Sequence, residues 1–374
     1  MGLQRLKGSD LIKNYASTRT DVPLFNQAAI TFATLLFGVQ HHQNLILTEG
    51  YAMHGVALQR LNKALSVPGC HTSDEVLVSV VILAMLEIYM PSGPRNYLKH
   101  MLGLERLLEL RDPESLANAS YATLELYKGV RHMILIASLR NRSPSIFARP
   151  GWKAVLRTAL SLDTPEEQDL HDVLADCSVL IAASDEAADS QSAKSLRILQ
   201  TRAEIGRKAS ELLGFLKSWR DRWDSTEGNF YTEEENPTAI AADVPTKLCT
   251  IYRFTNNSVA RMFMLYNTAL IYVLQIHSAL AVSETDSSHA ASITNEHFQG
   301  AIRTAGIEIA RSIADYLKQK RARGETDFAS PVVQWAVLTA WQSLGGTGSR
   351  EGECMTRMLN GDISYEIVKV AWDM

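Results

Sequence analysis

The sequence predicts an all-α fold, a single large helical domain over residues 1–374 with about a dozen or more helices. Three observations predict it. From residue 76 to 86 only Ser79 is not apolar, so this helix has no polar face to turn toward water and must lie at the centre. On each side of it, apolar residues recur at helical spacing among charged ones, as partners of a buried helix should. The second half is equally helical, and its least polar stretches need cover from the rest of the chain.

In chain order, residues 9–50 carry two amphipathic stretches, 9–15 and 25–50. The second contains His41 and His42. Neighbouring helix residues point about a third of a turn apart, so two adjacent rings do not share one ion; one belongs in the core and one at the surface.

Three helices are expected between residues 51 and 113. In the first, Val56, Ala57, Leu61, Ala64 and Leu65 form the apolar stripe, and Pro68-Gly69 ends it. Ser73-Asp74-Glu75 offers a cap and early acids for the second, which runs to Glu87 and stops before Pro91. In the third, Leu98, Met101, Leu102, Leu104, Leu107, Leu108 and Leu110 alternate with charged side chains. Together they predict an antiparallel three-helix unit.

These residues also carry a resemblance. Tyr51, Leu58, Leu61 and Leu65, then Glu87, then Tyr97, His100, Gly103, Arg111 and Pro113, resemble the C-terminal regulatory domain of fungal zinc-cluster transcription factors. Tyr97 stands where that family usually has Trp, and Asp112 where it usually has Gly. Phe147 and Trp152 resemble the element that follows the family's fourth core helix. Phe254, Asn256, Ala260 and Tyr266 resemble its late helix, with Asn267 in place of a Trp. The resemblance implies a six-cysteine DNA-binding module ahead of the helical domain, and none is present in this sequence. Three accounts stand side by side: a fragment of a longer regulator, a regulator acting through a partner, or a chain that kept the fold and uses its cavity otherwise.

Further along, the helix through Tyr127, Val130, Arg131, Ile134 and Leu135 ends at Arg140, Asn141 and Arg142, where cations oppose the negative end of the helix dipole. Residues 160–216 are read as helices with a break at 184–195. The acidic, turn-rich run at 224–245 is read as an exposed loop. Residues 246–280 are read as one core helix, its apolar run broken by Asn267 and Gln275 and short of the ~20 residues a bilayer requires. Amphipathic helices at 298–324 and 329–345, a small-residue loop at 345–353 and a helix at 364–374 complete the chain.

Composition limits function. A net charge of −4 gives no overall basic footprint, so no direct nucleic-acid contact is expected, and no membrane span. Four separated cysteines, Cys70, Cys177, Cys249 and Cys354, indicate neither a zinc cluster nor a disulfide framework. No signal-peptide core is found at residues 1–17, and an intracellular protein is expected: nuclear as a regulator, cytoplasmic as an enzyme. There is no nucleophile elbow, HExxH, dinucleotide fingerprint or acidic metal cluster, so neither a metal nor a cofactor is expected.

Function is therefore read as binding of a hydrophobic small metabolite or a protein partner, a second copy included, by a stand-alone regulatory domain of secondary metabolism. The alternative is a cofactor-free cyclase, isomerase or pericyclase shaping a terpenoid or polyketide in the same cavity. The ligand-pocket candidates are Tyr51, His54, Glu87, Tyr97, His100, Arg131, Trp152, Tyr266 and Asn267. Glu87 ends the most apolar helix and must pair or take up a proton, with Arg95, His100, Arg106 and Arg131 as its expected neighbours.

Overall fold

The computed structural model describes residues 23–87, 94–119, 121–159, 164–189, 196–236, 245–283, 289–322 and 331–359. These are overwhelmingly helical, as the sequence predicts. The chain divides into two compact units, and the division falls after Val130.

The first unit is built on α1 (Leu24–Gln40), α2 (Asn44–Leu65), α3 (Asp74–Glu87) and α4 (Pro94–Glu109). Helix α3 is its axis, packed by α1, α2 and α4. None of its residues from 76 to 87 is exposed, and Leu77, Leu83, Ala84 and Leu86 are fully enclosed. Each large aliphatic side chain so buried stabilises the fold by roughly 1.5–3 kcal/mol. The start of α3 is fixed as its sequence foretells: Ser73 Oγ accepts from Val76 N at 3.4 Å, and Asp74 and Glu75 occupy the first turn. Asp74 is held in turn by Arg111 at 2.8 Å and by Thr123 at 2.8 Å.

The segment expected as one helix over 25–50 is two. His42 adopts φ +51°, and the chain reverses so that α1 and α2 pack side by side. Glycines make this approach possible, since a β-carbon on Gly50 would lie 2.6 Å from Leu35 Cγ. Both His41 and His42 are exposed, which corrects the core placement of one of them; the His41 ring lies tilted against Phe37 with centroids 4.2 Å apart. The stretches expected as helices over 9–15 and 364–374 lie outside the described residues.

Helix α5 (Tyr121–Arg140) follows, and the unit boundary falls within it. The second unit continues through α6 (Pro150–Ala159), α7 (Pro165–Asp189), α8 (Leu196–Asp224), β1 (Tyr231–Glu235), β2 (Thr250–Phe254), α9 (Asn257–Ser283), α10 (His289–Ala322), α11 (Pro331–Ser343) and α12 (Arg350–Leu359). Helix α9 is its core element, against α7, α8, α10 and α11. It is long and apolar enough by composition to cross a membrane, but 78% of its most apolar window is buried inside the protein. That burial is the signature of a core helix.

Several expectations change here. Residues 231–235, read as loop, pair antiparallel with residues 250–254, read as helix, in the register Tyr231↔Phe254 to Glu235↔Thr250. The acidic strand is tolerated because Arg253 meets Glu234 at 2.5 Å and Arg311 meets Glu233 at 2.7 Å. Its Tyr231 ring packs on Tyr252, Phe254 and Phe263 with centroids 4.4 to 5.4 Å apart. Helix α9 begins only where Asn256 Oδ1 accepts from Ser258 N and Val259 N, at 2.9 and 3.1 Å. Residues 184–189, where a break is expected, continue helix α7 to Asp189, and the rest of the expected break lies outside the described residues. From Arg350 the small-residue loop is already helix α12.

Candidate functional site

In the first unit, α2, α3 and α4 enclose a cleft of about 460 Å³. Helix α2 contributes Leu58, Leu61, Asn62 and Leu65, residues that recur along one face at intervals of three, one and three. From α3 come Val80 and Glu87, two turns apart. Helix α4 gives Asn96, Lys99, His100, Gly103 and Leu107, again one continuous face. The lining is mainly apolar with a few polar groups converging, the usual make-up of a small-molecule site.

Glu87 is the polar centre of this wall, and it is only 3% exposed. Its Oε1 lies 3.4 Å from His54 Nε2 and 3.5 Å from His100 Nε2, and its Oε2 accepts from Asn96 Nδ2 at 3.2 Å. Burial pushes the Glu87 carboxyl up. Hydrogen bonds from His100 and Asn96, with the fields of both imidazoles, outweigh burial and hold it below the ordinary carboxylate range. It stays a carboxylate. Burial pushes the His54 imidazole down, and the nearby Glu87 charge only partly offsets this, so the ring is neutral around pH 7. The His54 contact is close but poorly aligned, and Nε2 forms no hydrogen bond despite the 3.4 Å approach.

The expected neighbours of Glu87 are only partly the real ones. His100 is one. Arg106 instead meets Glu109 at 2.6 Å, Arg131 belongs to the second unit, and the Arg95 side chain lies outside the described residues. His54 and Asn96 take their places because the α2–α3 and α3–α4 faces bring them there.

Of the other candidates, Tyr51 and Tyr97 are half-buried on α2 and α4, and neither lines the cleft. Arg131, Trp152, Tyr266 and Asn267 serve the core of the second unit. Arg131 is 1% exposed and donates to Gln168 Oε1 and to His171 Nδ1, the latter at 2.8 Å. Since guanidinium only donates, His171 carries its proton on Nε2 and donates it to His132 Nδ1 at 3.1 Å. Trp152 sets its ring edge-on to Phe147 at 5.7 Å. Tyr266 stacks on Trp219 at 5.3 Å, and Asn267 Nδ2 donates to Phe263 O at 3.0 Å, which gives a backbone partner to the amide that replaces an indole. Arg142, part of the basic cluster after α5, is taken up by Asp185 in a two-point pair at 2.5 and 2.6 Å.

Sequence reading missed Asn62, Asn96 and Lys99. A signal for two of them was present, since Asn96, Lys99, His100 and Gly103 repeat with helical period beside the leucine stripe of α4. Among the described residues no group of three or more His, Cys, Asp or Glu is placed to hold a metal ion, the His54–Glu87–His100 trio included.

Comparison with known proteins gives the family. A curated, uncharacterized protein of Emericella nidulans is 28% identical over 131 residues, covering 35% of this chain and 28% of its own length. No solved structure matches the chain. The fungal specific transcription factor domain model matches residues 26–304, a span that includes α2, α3, α4 and the cleft they form. With more than half of its length matched, the chain belongs to the fungal specific transcription factor domain family.

Proposed function

We propose that this chain is a regulatory domain of the fungal transcription-factor type that responds to a hydrophobic small molecule held in the α2–α3–α4 cleft. The observation that carries the reading is a buried carboxylate, Glu87, set in a mainly apolar lining, hydrogen-bonded by His100 and Asn96 and flanked by His54. Burying such a group costs stability unless the partners are fixed, and here they are fixed beside an open space of ligand size. Family membership supports a regulatory role in the nucleus, with a protein partner or a second copy relaying the bound state. Secondary metabolism is the proposed setting, since its products supply apolar molecules with few polar groups.

The test has two arms. Thermal unfolding of the full chain against a panel of hydrophobic metabolites should show one class that stabilises it, by about 2.7 kcal/mol at a hundredfold excess over Kd. The same chain fused to a heterologous DNA-binding module should alter reporter output when that class is added. No stabilisation by any compound and no reporter response would remove the reading.

One observation favours a second reading, a cofactor-free isomerase or cyclase: His100 and Glu87 stand at the cleft wall as an imidazole–carboxylate pair able to pass a proton. Mass spectrometry of the same incubations separates the two, because conversion of a bound compound supports the enzyme and unchanged recovery supports the regulator.

A further inference from the structure

Resting on the cleft reading above and deepening it, we infer that the ligand is an amphipathic carboxylate, with its acid group on the Asn96–Lys99 turn of α4 and its apolar body along Gly103 and Leu107.

The head group follows from the donors and acceptors on the wall. Asn96 has two N–H donors and uses one on Glu87 Oε2, which leaves the second. Lys99 makes no ion pair or hydrogen bond with the described residues, so its ammonium is available at the mouth of the same face. The one acidic side chain in the lining, Glu87, is engaged at one oxygen by Asn96 and at the other by His100. An incoming carboxylate therefore meets a cation and an amide donor, with the native carboxylate already compensated. An ammonium group would meet Lys99 as a like charge, and an alcohol would gain no charge-assisted bond.

The body follows from Gly103. A glycine inside a helix costs about 1 kcal/mol relative to alanine and is normally retained for a close approach. None exists here, because a β-carbon at Gly103 would meet nothing within 4 Å. What the missing side chain does is keep the groove open between Lys99 and Leu107, against Leu58, Leu61 and Leu65 of α2. An alkyl or polyene chain lying there would be covered by leucine on both sides.

Calorimetric titration of the full chain with decanoate, decanol and decyltrimethylammonium, all below micelle-forming concentrations, tests this. Decanoate should bind at one site about ten-fold more tightly than decanol, and the cationic probe should be weakest. Lys99→Met should weaken decanoate about ten-fold and leave decanol unchanged, which a general loss of structure would not do. Gly103→Leu, with its helical circular dichroism intact, should abolish binding of both. If decanol matches decanoate, or Lys99→Met affects both alike or neither, the carboxylate assignment falls while the cleft reading stands. If no probe saturates, or binding ignores Gly103→Leu, the cleft reading falls and takes the assignment with it.

Discussion

His54 Nε2 on α2 faces Glu87 Oε1 on α3 across 3.4 Å, and both side chains are almost wholly shielded from water. The contact ties two helices through a carboxylate that cannot escape to solvent. Glu87→Ala leaves His100 and Asn96 without their common acceptor, removes the carboxylate facing His54, and should destabilise the protein by about 3 kcal/mol. Glu87→Gln keeps an acceptor oxygen and should lose distinctly less. Urea unfolding followed by far-ultraviolet circular dichroism measures both, and equal losses would show that an acceptor oxygen without the charge recovers nothing.

His54, His171 and Glu87 are among the groups that make stability depend on pH. Burial holds His54 below the ordinary histidine value of 6.5, and burial, with Arg131 and His132 nearby, holds His171 well below it. The unfolded chain takes up protons that these folded rings refuse, so stability falls as pH drops below about 6.5. Glu87, held below its ordinary 4.5, contributes stability that is present above that value and is lost as pH falls through its folded pKa. Unfolding midpoints should therefore be lower at pH 5 than at pH 7, with a slope of up to about 1.4 kcal/mol per pH unit per proton. His171→Gln should flatten that slope, and an unchanged slope would show that His171 does not titrate in the unfolding step.

One substitution should have opposite signs at two glycines. Alanine at Gly50 would place its β-carbon 2.6 Å from Cγ and Cδ2 of Leu35, a fully buried side chain with no room to retreat. Gly50→Ala should cost about 1–3 kcal/mol despite alanine's better helix propensity. At Gly103 nothing lies within 4 Å, and Gly103→Ala should stabilise by up to about 1 kcal/mol. Thermal midpoints of the two variants decide it.

The start of α9 depends on one side chain. Asn256 Oδ1 accepts from the backbone N–H of Ser258 and Val259, two donors that no helical turn can satisfy. Asn256→Ala should cost about 1 kcal/mol, and Asn256→Asp or Asn256→Ser should recover most of it. Differential scanning calorimetry of the three variants makes the comparison, and equal midpoints would show that water replaces the cap.

Much of the fold was legible because its signals are local. The enclosed run from Val76, the Ser73 cap with Asp74 and Glu75, and the leucine stripe of α4 are all written within one or two turns of helix. Where reading failed, the deciding contact was distant in sequence. Residues 250–254 became a strand because Tyr231 and Glu234, about twenty residues earlier, offered a partner with the right side chains. The split at His42 likewise depended on Gly50 accepting Leu35. For the cleft, Glu87 and His100 could each be named as candidates, but Lys99 and Asn96 looked like ordinary surface residues of an amphipathic helix.

By itself the sequence determined the helical class, the buried axis of the first unit and the family, because apolar periodicity and capping residues act over distances a single helix spans. Only the tertiary structure decided which side chains meet. Glu87 pairs with His100 and Asn96 rather than with Arg106 because charge complementarity leaves several partners open, whereas the packing of α2 and α4 against α3 admits one set. Ion-pair choice in a buried wall is settled by which faces pack together, and no local pattern encodes that.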